Sequence, residues 1–193
     1  GFFVMTLTPP LGLGTYLVNQ VEAAKEKGII IGYDGRHNSK RFAELAAATF
    51  MHLGMKVYLF DSIIPTPLVY IFVHINWITM KAYGTTNKGC VAGLVITASH
   101  NPKEDNGYKV YASNGCQVFI KLTEIHYSDR IPVDAYVTKC ISENLEPWGV
   151  DIANLKNPLL SMVGEDVIQD YLRDMKAWNF FPDINSTDSV KVL

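Results

Sequence analysis

Residues 28–60 read GIIIGYDGRHNSKRFAELAAATFMHLGMKVYLF, the pattern of a strand, a helix and a second strand. The first apolar run is short, rich in β-branched residues and bounded by glycine, and the polar turn 34–38 ends it. Apolar residues then recur at helical spacing, with Ser39 as the candidate N-cap and Gly54 at the position of a C′ glycine. Residues 56–60 are the next predicted strand. The two strands of such a unit are parallel neighbours, so this stretch predicts an α/β fold.

Further strands and helices follow this unit along the chain. Residues 92–96 are predicted as a third strand, and a hairpin turn at 113–115 separates the apolar runs 108–111 and 117–120. Helices are predicted from the Pro65-Thr66-Pro67 turn onward and over residues 122–144 and 165–178, where Ile168, Tyr171, Leu172 and Met175 share one face. The predicted fold class is α/β, with a mixed, mostly parallel sheet flanked by helices.

The composition is that of a packed globular protein without a broad attraction for polyanions. Of the 193 residues, 48% are apolar and 19% are charged, which excludes a disordered chain. A net charge of -2 and the lack of a basic stripe predict that neither nucleic acid nor an anionic membrane is a partner. Cys90, Cys116 and Cys140 do not have the spacing of a zinc site. They are predicted to be reduced thiols in a cytoplasmic protein.

The segment 62–80 contains no charged residue and raises the question of a membrane span. A spanning helix needs about 20 predominantly apolar residues. Here two prolines, His74 and Asn76 interrupt the run, which leaves its apolar part too short. A buried helix is therefore predicted instead of a span.

The polar loop 97–109, TASHNPKEDNGYK, carries the residues with the most chemistry. It begins at the carboxyl end of a predicted parallel strand, where open α/β sheets bind ligands. It lacks the Gly-x-Ser-x-Gly elbow of hydrolases and the spacing of a P-loop. On chemistry alone two interpretations stay open. Either the hydroxyl of Ser99 is a nucleophile, or Ser99 and Asn101 make local turn bonds and the lysines are solvated.

Four blocks in the chain resemble the α-D-phosphohexomutase superfamily. Residues 97–102, followed by 106–110, resemble its active-site signature, while 32–36 and 65–67 resemble the turns after its first and second strands. Residues 143–148, ENLEPW, resemble the phosphoglucomutase-2/phosphopentomutase branch of that superfamily. Four blocks in the expected order are a much more specific signal than one hexapeptide.

The resemblance implies a role for three residues of the loop. Ser99 would carry a phosphoryl group that passes to and from a sugar phosphate, and a serine phosphate ester is stable enough to store that group. Lys109 would stabilise charge or transfer a proton, the alternative being a solvated lysine. His100 would contact phosphate or substrate, the alternative being a local structural bond.

The resemblance also implies cofactors for this chemistry. Mg²⁺ would bind an oxygen of the Ser99 phosphate, with three aspartates of a second domain completing its coordination, and a sugar bisphosphate would be the activator. Asp34 and Arg36 are not predicted to be catalytic. They are either a supporting pair beneath the loop or a simple turn with a surface charge.

Three departures from the family pattern limit what this chain is expected to do. Residues 1–14 do not match the family's N-terminal arginine block, and residues around 76–89 look like extra sequence. The metal-binding Asp-Gly-Asp motif, the sugar-binding loop and the C-terminal phosphate-binding loop have no counterpart. Residues 1–183 are expected to be the serine-bearing first domain and 184–193 the truncated start of a second. The isolated chain is expected to have little or no activity without the remaining domains as partners.

The function that the resemblance implies is that of a phosphosugar mutase. Such an enzyme interconverts glucose 1-phosphate and 6-phosphate, or a pentose 1-phosphate and 5-phosphate, through a phosphoserine and a bisphosphate intermediate. Two alternatives stay open within the family: a glucose 1,6-bisphosphate synthase, and an inactive fragment or splice product that acts as a binding or regulatory module. An unrelated α/β domain would require the other three blocks to be coincidental.

Overall fold

The computed structural model describes residues 2–69, 88–113, 115, 117 and 155–176. Five strands occur in these ranges: β1 (Ile29–Tyr33), β2 (Val57–Phe60), β3 (Ala92–Ile96), β4 (Tyr108–Ala112) and β5 (Leu160–Val163). Their helices are α1 (Phe2–Gln20), α2 (Ala24–Lys27), α3 (Ser39–His52) and α4 (Glu165–Lys176), with a 3-10 turn at Thr66–Leu68. Predicted features at residues 70–87, 118–154 and 177–193 lie outside the described residues, as do Cys116 and Cys140.

The strands form one sheet in the order β4-β3-β1-β2-β5. β1 lies parallel to both β2 and β3, and β2 lies parallel to β5, whereas β3 and β4 are antiparallel. The register places Ile29 opposite Val57 on one side and opposite Ala92 on the other. The predicted mixed, mostly parallel sheet is confirmed, and so is the parallel pairing of the first two strands.

Both faces of the sheet are covered, which explains why the strand at its centre is apolar throughout. Ile29 and Ile31 belong to the core cluster that includes residues of α1 and α3. Ile30 belongs to a second cluster, which includes Leu68 of the 3-10 turn and Val167 of α4. All three isoleucines of β1 are fully buried, as alternation of side chains between two covered faces requires.

Helix α3 follows β1 as predicted, but its start differs from the sequence interpretation. Ser39 is the first helical residue, and the cap position is taken by Asn38, whose backbone is left-handed at φ 62° and whose side chain makes no capping bond. The N-cap prediction for Ser39 is therefore wrong. The physical reason is that its hydroxyl lies beside Asp34 and Asn106 instead of the helix's own backbone.

Three elements of the structure were not predicted, and one predicted helix face is buried only in part. Helices α1 and α2 and strand β5 were not identified from the sequence, although α1 packs against α3 and β5 completes one edge of the sheet. In α4 the fully buried residue is Val167, with Ile168 and Tyr171 packed beside it, whereas Leu172 is 42% exposed. Of the residues predicted to share one apolar face of α4, Ile168 and Tyr171 therefore pack against the second core cluster, whereas Leu172 does not.

The prediction that Pro65 opens a helix is confirmed only for a single turn within the described ranges. Thr66–Leu68 is a 3-10 turn, with Pro65 in extended conformation before it.

Among the helices in the described part of the chain, none combines the length and the apolar character that a bilayer crossing needs.

Candidate functional site

The candidate site lies where the strand order of the sheet reverses. From β1 the chain passes through α3 to β2 on one side, whereas β3, on the other side of β1, leads to β4 at the edge. The segments that leave β1 and β3 therefore diverge at their carboxyl ends, the position at which open α/β sheets form ligand sites. The amide of Asp34 donates to the carbonyl of Ile96 over 3.3 Å, which joins the two segments at their origin.

Ser99 lies in a turn just beyond the end of β3, and its side chain is exposed. Thr97 and Ala98 are not helical, and the Asn101 amide closes the turn on the Ala98 carbonyl at 3.1 Å. Ser99 itself adopts a left-handed backbone conformation with φ 55°, which is uncommon for a residue other than glycine. Its own amide donates to Thr97 Oγ1 over 3.1 Å. The hydroxyl is thus presented to solvent at the edge of the sheet.

Lys109 is brought to Ser99 by the antiparallel pairing of β3 and β4. The register opposes Val95 to Lys109, and the Thr97 amide extends the ladder by donating to the Gly107 carbonyl over 3.0 Å. The Lys109 ammonium donates a hydrogen bond to Ser99 Oγ. Two of the three predicted site residues are therefore in direct contact. His100 follows Ser99 on the same loop, and its side chain is exposed.

Arg36 reaches from the loop after β1 to the backbone of the Ser99 turn. Its Nε donates to Asp34 Oδ2 at 3.1 Å, and one terminal nitrogen donates to the carbonyls of Asn101 and Pro102 at 2.8 and 2.6 Å. The other terminal nitrogen donates to the carbonyl of Ser99. Of the two interpretations of Asp34 and Arg36, the structure supports the supporting pair, since a plain surface turn would not bond three carbonyls of another loop.

Asp34 is a partly buried carboxylate that accepts hydrogen bonds from the groups around it. It accepts hydrogen bonds from the Arg36 amide at 3.1 Å and, through the same Oδ1, from the Ser39 hydroxyl at 2.8 Å. Burial raises the pKa of Asp34, but hydrogen bonds from Thr97, Ser39 and the Arg36 amide, with the Arg36 charge, outweigh burial and lower it overall. The ionised form is therefore the one that the folded protein stabilises.

Asn106 ties the far end of the same loop to the start of α3. Its Oδ1 lies 2.6 Å from the Ser39 hydroxyl, and its Nδ2 donates to the His37 carbonyl over 2.6 Å. Sequence reasoning did not assign a role to Asn106 or this role to Ser39. The available signal was positional, because both are polar residues close to strand ends that a parallel sheet brings to one edge.

An open depression of about 310 Å³ adjoins the loop and is lined by Asp34, Gly35, Arg36, Asn101 and Lys103. Within the described ranges, no group of three or more histidine, cysteine, aspartate or glutamate side chains is arranged to hold a metal ion. What the described site offers is an exposed hydroxyl with a cation bonded to it, on a loop whose backbone is held by an arginine.

Comparison with protein families gives a match to domain I. Residues 10–126 match the model described as "Phosphoglucomutase/phosphomannomutase, alpha/beta/alpha domain I". This range includes β1 to β4, α3 and the whole of the Ser99 loop, so it contains every element of the candidate site described above.

Curated relatives share between a third and two fifths of the residues that can be aligned. Phosphopentomutase of Homo sapiens is 38% identical over 189 residues, and glucose 1,6-bisphosphate synthase of Homo sapiens is 34% identical over 193. The probable phosphoribomutase of Schizosaccharomyces pombe is 39% identical over 136 residues, which cover 70% of this chain and 19% of that protein. The two human alignments cover 93% of this chain but only 27% of each relative.

A solved structure shares the fold. A putative phosphomannomutase from Thermus thermophilus superposes with a TM-score of 0.58 at 21% sequence identity, covering 91% of this chain and 32% of that one. At this identity the likeness concerns the fold alone, and it agrees with the sheet and flanking helices described above.

Proposed function

The chain belongs to the phosphoglucomutase/phosphomannomutase family, and from this we propose that it is the serine-bearing part of a phosphosugar mutase. The observation that carries the proposal is the hydrogen bond from Lys109 to the exposed hydroxyl of Ser99. A hydroxyl that must exchange a phosphoryl group has to be accessible and close to a positive charge, because phosphorylation adds roughly -1.5 to -2 charge at neutral pH. Ser99 meets both requirements.

In the proposed reaction Ser99 Oγ attacks a phosphorus atom of a sugar bisphosphate. The Oγ–P bond forms as the bond from phosphorus to the sugar oxygen breaks, and the hydroxyl proton ends on the departing sugar. Lys109 contacts Oγ, so it can relay that proton or stabilise charge on the transferring group. The reverse step, onto the other hydroxyl of a sugar monophosphate, completes the interconversion. His100, exposed beside Ser99, is proposed to contact the phosphate or the sugar.

The proposal includes Mg²⁺, for which the chemistry of a phosphoserine is suitable. Mg²⁺ prefers oxygen ligands and commonly binds through phosphates, so an oxygen of a phosphorylated Ser99 is a fitting ligand. When bound, the ion would neutralise charge on the transferring phosphoryl group. In this proposal the other protein ligands of the ion come from residues beyond the described ranges. The described residues themselves contain no group of three histidine, cysteine, aspartate or glutamate side chains arranged to hold a metal.

This chain spans 27% of the length of the human relatives, so the activity of a whole enzyme is proposed for a protein longer than this chain. We propose that further domains complete the sugar site and that the chain by itself turns over little sugar phosphate. The pentose phosphates are the favoured substrates, because relatives at 38% and 39% identity are named phosphopentomutase and probable phosphoribomutase. A glucose 1,6-bisphosphate synthase is the second candidate, favoured by a relative of that name at 34% identity.

The direct test is to look for the phosphoserine. The chain is incubated with a sugar bisphosphate and Mg²⁺, and intact-mass measurement with peptide mapping follows the phosphoryl group. Sustained turnover is not expected of this chain, but slow transfer of a single phosphoryl group to Ser99 is. Ser99→Ala should stay unmodified, whereas Ser113→Ala, an exposed serine in the turn after β4, should be phosphorylated like the wild type. A folded wild-type chain that takes up no phosphate would instead favour the inert binding module.

A further inference from the structure

The two peptide groups that flank Ser99 are each held by a different partner. On one side the Ser99 amide donates to Thr97 Oγ1 at 3.1 Å, and on the other the Ser99 carbonyl accepts from Arg36. Fixing both neighbouring peptide planes fixes the two backbone dihedrals of the residue between them. Here the residue so fixed is in the left-handed region, at φ 55°.

This conformation is one that a serine does not adopt without support. Residues with a Cβ populate the left-handed region sparsely, and they persist there when the surrounding structure over-determines them. The direction of the Cα–Cβ bond depends on the same dihedrals, so the conformation determines where Oγ lies. In the structure, Oγ lies against Lys109.

The bonds of Arg36 show that its guanidinium is directed at the loop backbone. Four donations are accounted for: one to Asp34 and three to the carbonyls of Ser99, Asn101 and Pro102. The planar fork of a guanidinium can serve several acceptors at once, which a lysine ammonium on a flexible stem does not reproduce. Four of the five guanidinium N–H groups are therefore used within the protein, which lets Arg36 act through the loop backbone.

We propose that Arg36 is a positioning residue, which holds the Ser99 turn in its left-handed conformation and so keeps the nucleophilic hydroxyl against Lys109. Asp34 orients the guanidinium from the opposite side. The inference rests on the function proposed above, because positioning matters only if Ser99 is the nucleophile. It adds a residue on a different strand's loop to the machinery of the reaction.

The test combines a readout of the loop with a readout of the chemistry. In Arg36→Ala, the amides of Asn101 and Asp105, which close turns on Ala98 and Pro102, are expected to exchange hydrogen much faster than in the wild type. The rate of Ser99 phosphorylation at saturating sugar bisphosphate is expected to fall by roughly 100-fold, as for other small displacements of reacting groups. The concentration of donor at half-maximal rate should change little, because Arg36 uses its N–H groups on Asp34 and the loop carbonyls.

Chemical rescue and two further variants make the outcome specific. Millimolar guanidinium in solution should restore part of the lost rate to Arg36→Ala, which a defect in folding would not allow. Arg36→Lys keeps the charge, and we expect it to fold and still lose roughly 10-fold in rate, since an ammonium cannot serve the same carbonyls. Arg41→Ala removes an equal charge from an exposed position on α3 and should match the wild type in both readouts.

The outcomes separate the two proposals. The role of Arg36 would be overturned if the loop amides of Arg36→Ala and Arg36→Lys were as well protected from hydrogen exchange as those of the wild type. Unchanged phosphorylation rates in the two variants would overturn it as well. If the wild type is not phosphorylated at all, the proposed function fails, and the exchange of the loop amides still decides whether Arg36 holds the turn. If Arg36→Ala does not fold, Arg36→Lys carries the test.

Discussion

The ammonium of Lys109 donates a hydrogen bond to the hydroxyl of Ser99, ten residues away along the chain. The contact exists because β3 and β4 are antiparallel neighbours, with Val95 opposite Lys109, so the chain returns past the loop it has just formed. The loop is in turn bonded to the β1 side of the sheet by Arg36. A nucleophile and its cation are thus placed by sheet register, and the backbone between them is placed by an arginine from another strand's loop.

Replacing Lys109 should damage the chemistry far more than the fold. In Lys109→Ala the rate of Ser99 phosphorylation is expected to fall by roughly 100-fold, as when a single charge-stabilising donor is removed from an active site. The melting temperature should change little, because the side chain is not part of either core cluster. Lys56→Ala, an exposed lysine before β2, is the matched control and should keep the wild-type rate. Equal rates in the two variants would remove Lys109 from the mechanism.

The central strands could be predicted because their local pattern and their tertiary setting agree. Residues of β1, β2 and β3 are short apolar runs between polar turns, and the sheet buries them on both faces. Strand β5 gives no such signal: of Leu160–Val163, only Val163 is buried, and the strand lies at an edge. Helix α1 was missed for another reason. It contains Pro9 and Pro10, so its local propensity opposes a helix that packing against α3 nevertheless supports.

The site was predictable only in part, and the reason is chemical. Ser99, His100 and Lys109 could be singled out because their side chains carry reactive groups and match a family motif. The role of Arg36 could not be decided from the sequence, because its partners are the carbonyls of Ser99, Asn101 and Pro102. Every residue has a carbonyl, so a site of this kind leaves no residue pattern to recognise.

Two glycines with positive φ should respond very differently to alanine. Gly28, at φ 71°, precedes β1, and a Cβ there would lie 2.2 Å from the backbone carbonyl oxygen of Lys56. Gly89, at φ 65°, has nothing within 4 Å of the same position. Gly28→Ala should therefore lower the free energy of unfolding by about 3 kcal/mol or more, whereas Gly89→Ala should cost only the backbone strain of about 1 kcal/mol.

Urea unfolding of both variants measures the difference between these two costs. Both glycines have a positive φ, but Gly28 also has a ψ of −166°, so the difference combines the clash with the neighbouring chain and the additional backbone strain at Gly28. Similar losses of stability in the two variants would contradict the close approach of the segment before β1 to the segment before β2.

Cys90 should be an unreactive thiol in the folded protein. Burial raises its pKa to about 12, although the nearby charge of Lys88 acts in the opposite direction. The thiolate is the form that reacts with alkylating reagents, so its fraction at pH 8 is negligible. Iodoacetamide labelling, resolved by peptide mass spectrometry, should leave the Cys90 peptide unmodified under native conditions and label it fully in urea. Rapid labelling of this peptide in the native protein would contradict its burial beside the sheet.

Acid should weaken the protein in part through Asp34. Hydrogen bonds and the Arg36 charge outweigh burial, so the pKa of Asp34 lies lower in the folded protein than the unfolded value of about 3.9. Below that value the unfolded chain binds the proton more readily than the folded protein. The stability that Asp34 contributes is therefore complete above about pH 4 and is lost as the pH falls through the lower folded-state pKa.

Asp34→Asn separates this contribution from that of other carboxylates. At neutral pH the variant should be less stable by roughly 1 kcal/mol or more, because hydrogen bonds to a charged group become bonds to a neutral one. As the pH falls below about 4, its stability should begin to converge on that of the wild type, and convergence is complete once the pH is below the lowered pKa of the folded wild-type carboxylate. Asp166, whose pKa is lowered chiefly by its hydrogen bond to Lys88, is present in both proteins. Its contribution therefore cancels when the unfolding free energies of the two proteins are subtracted at each pH. A difference in unfolding free energy that stays constant down to pH 2 would show that the charge of Asp34 does not stabilise the loop.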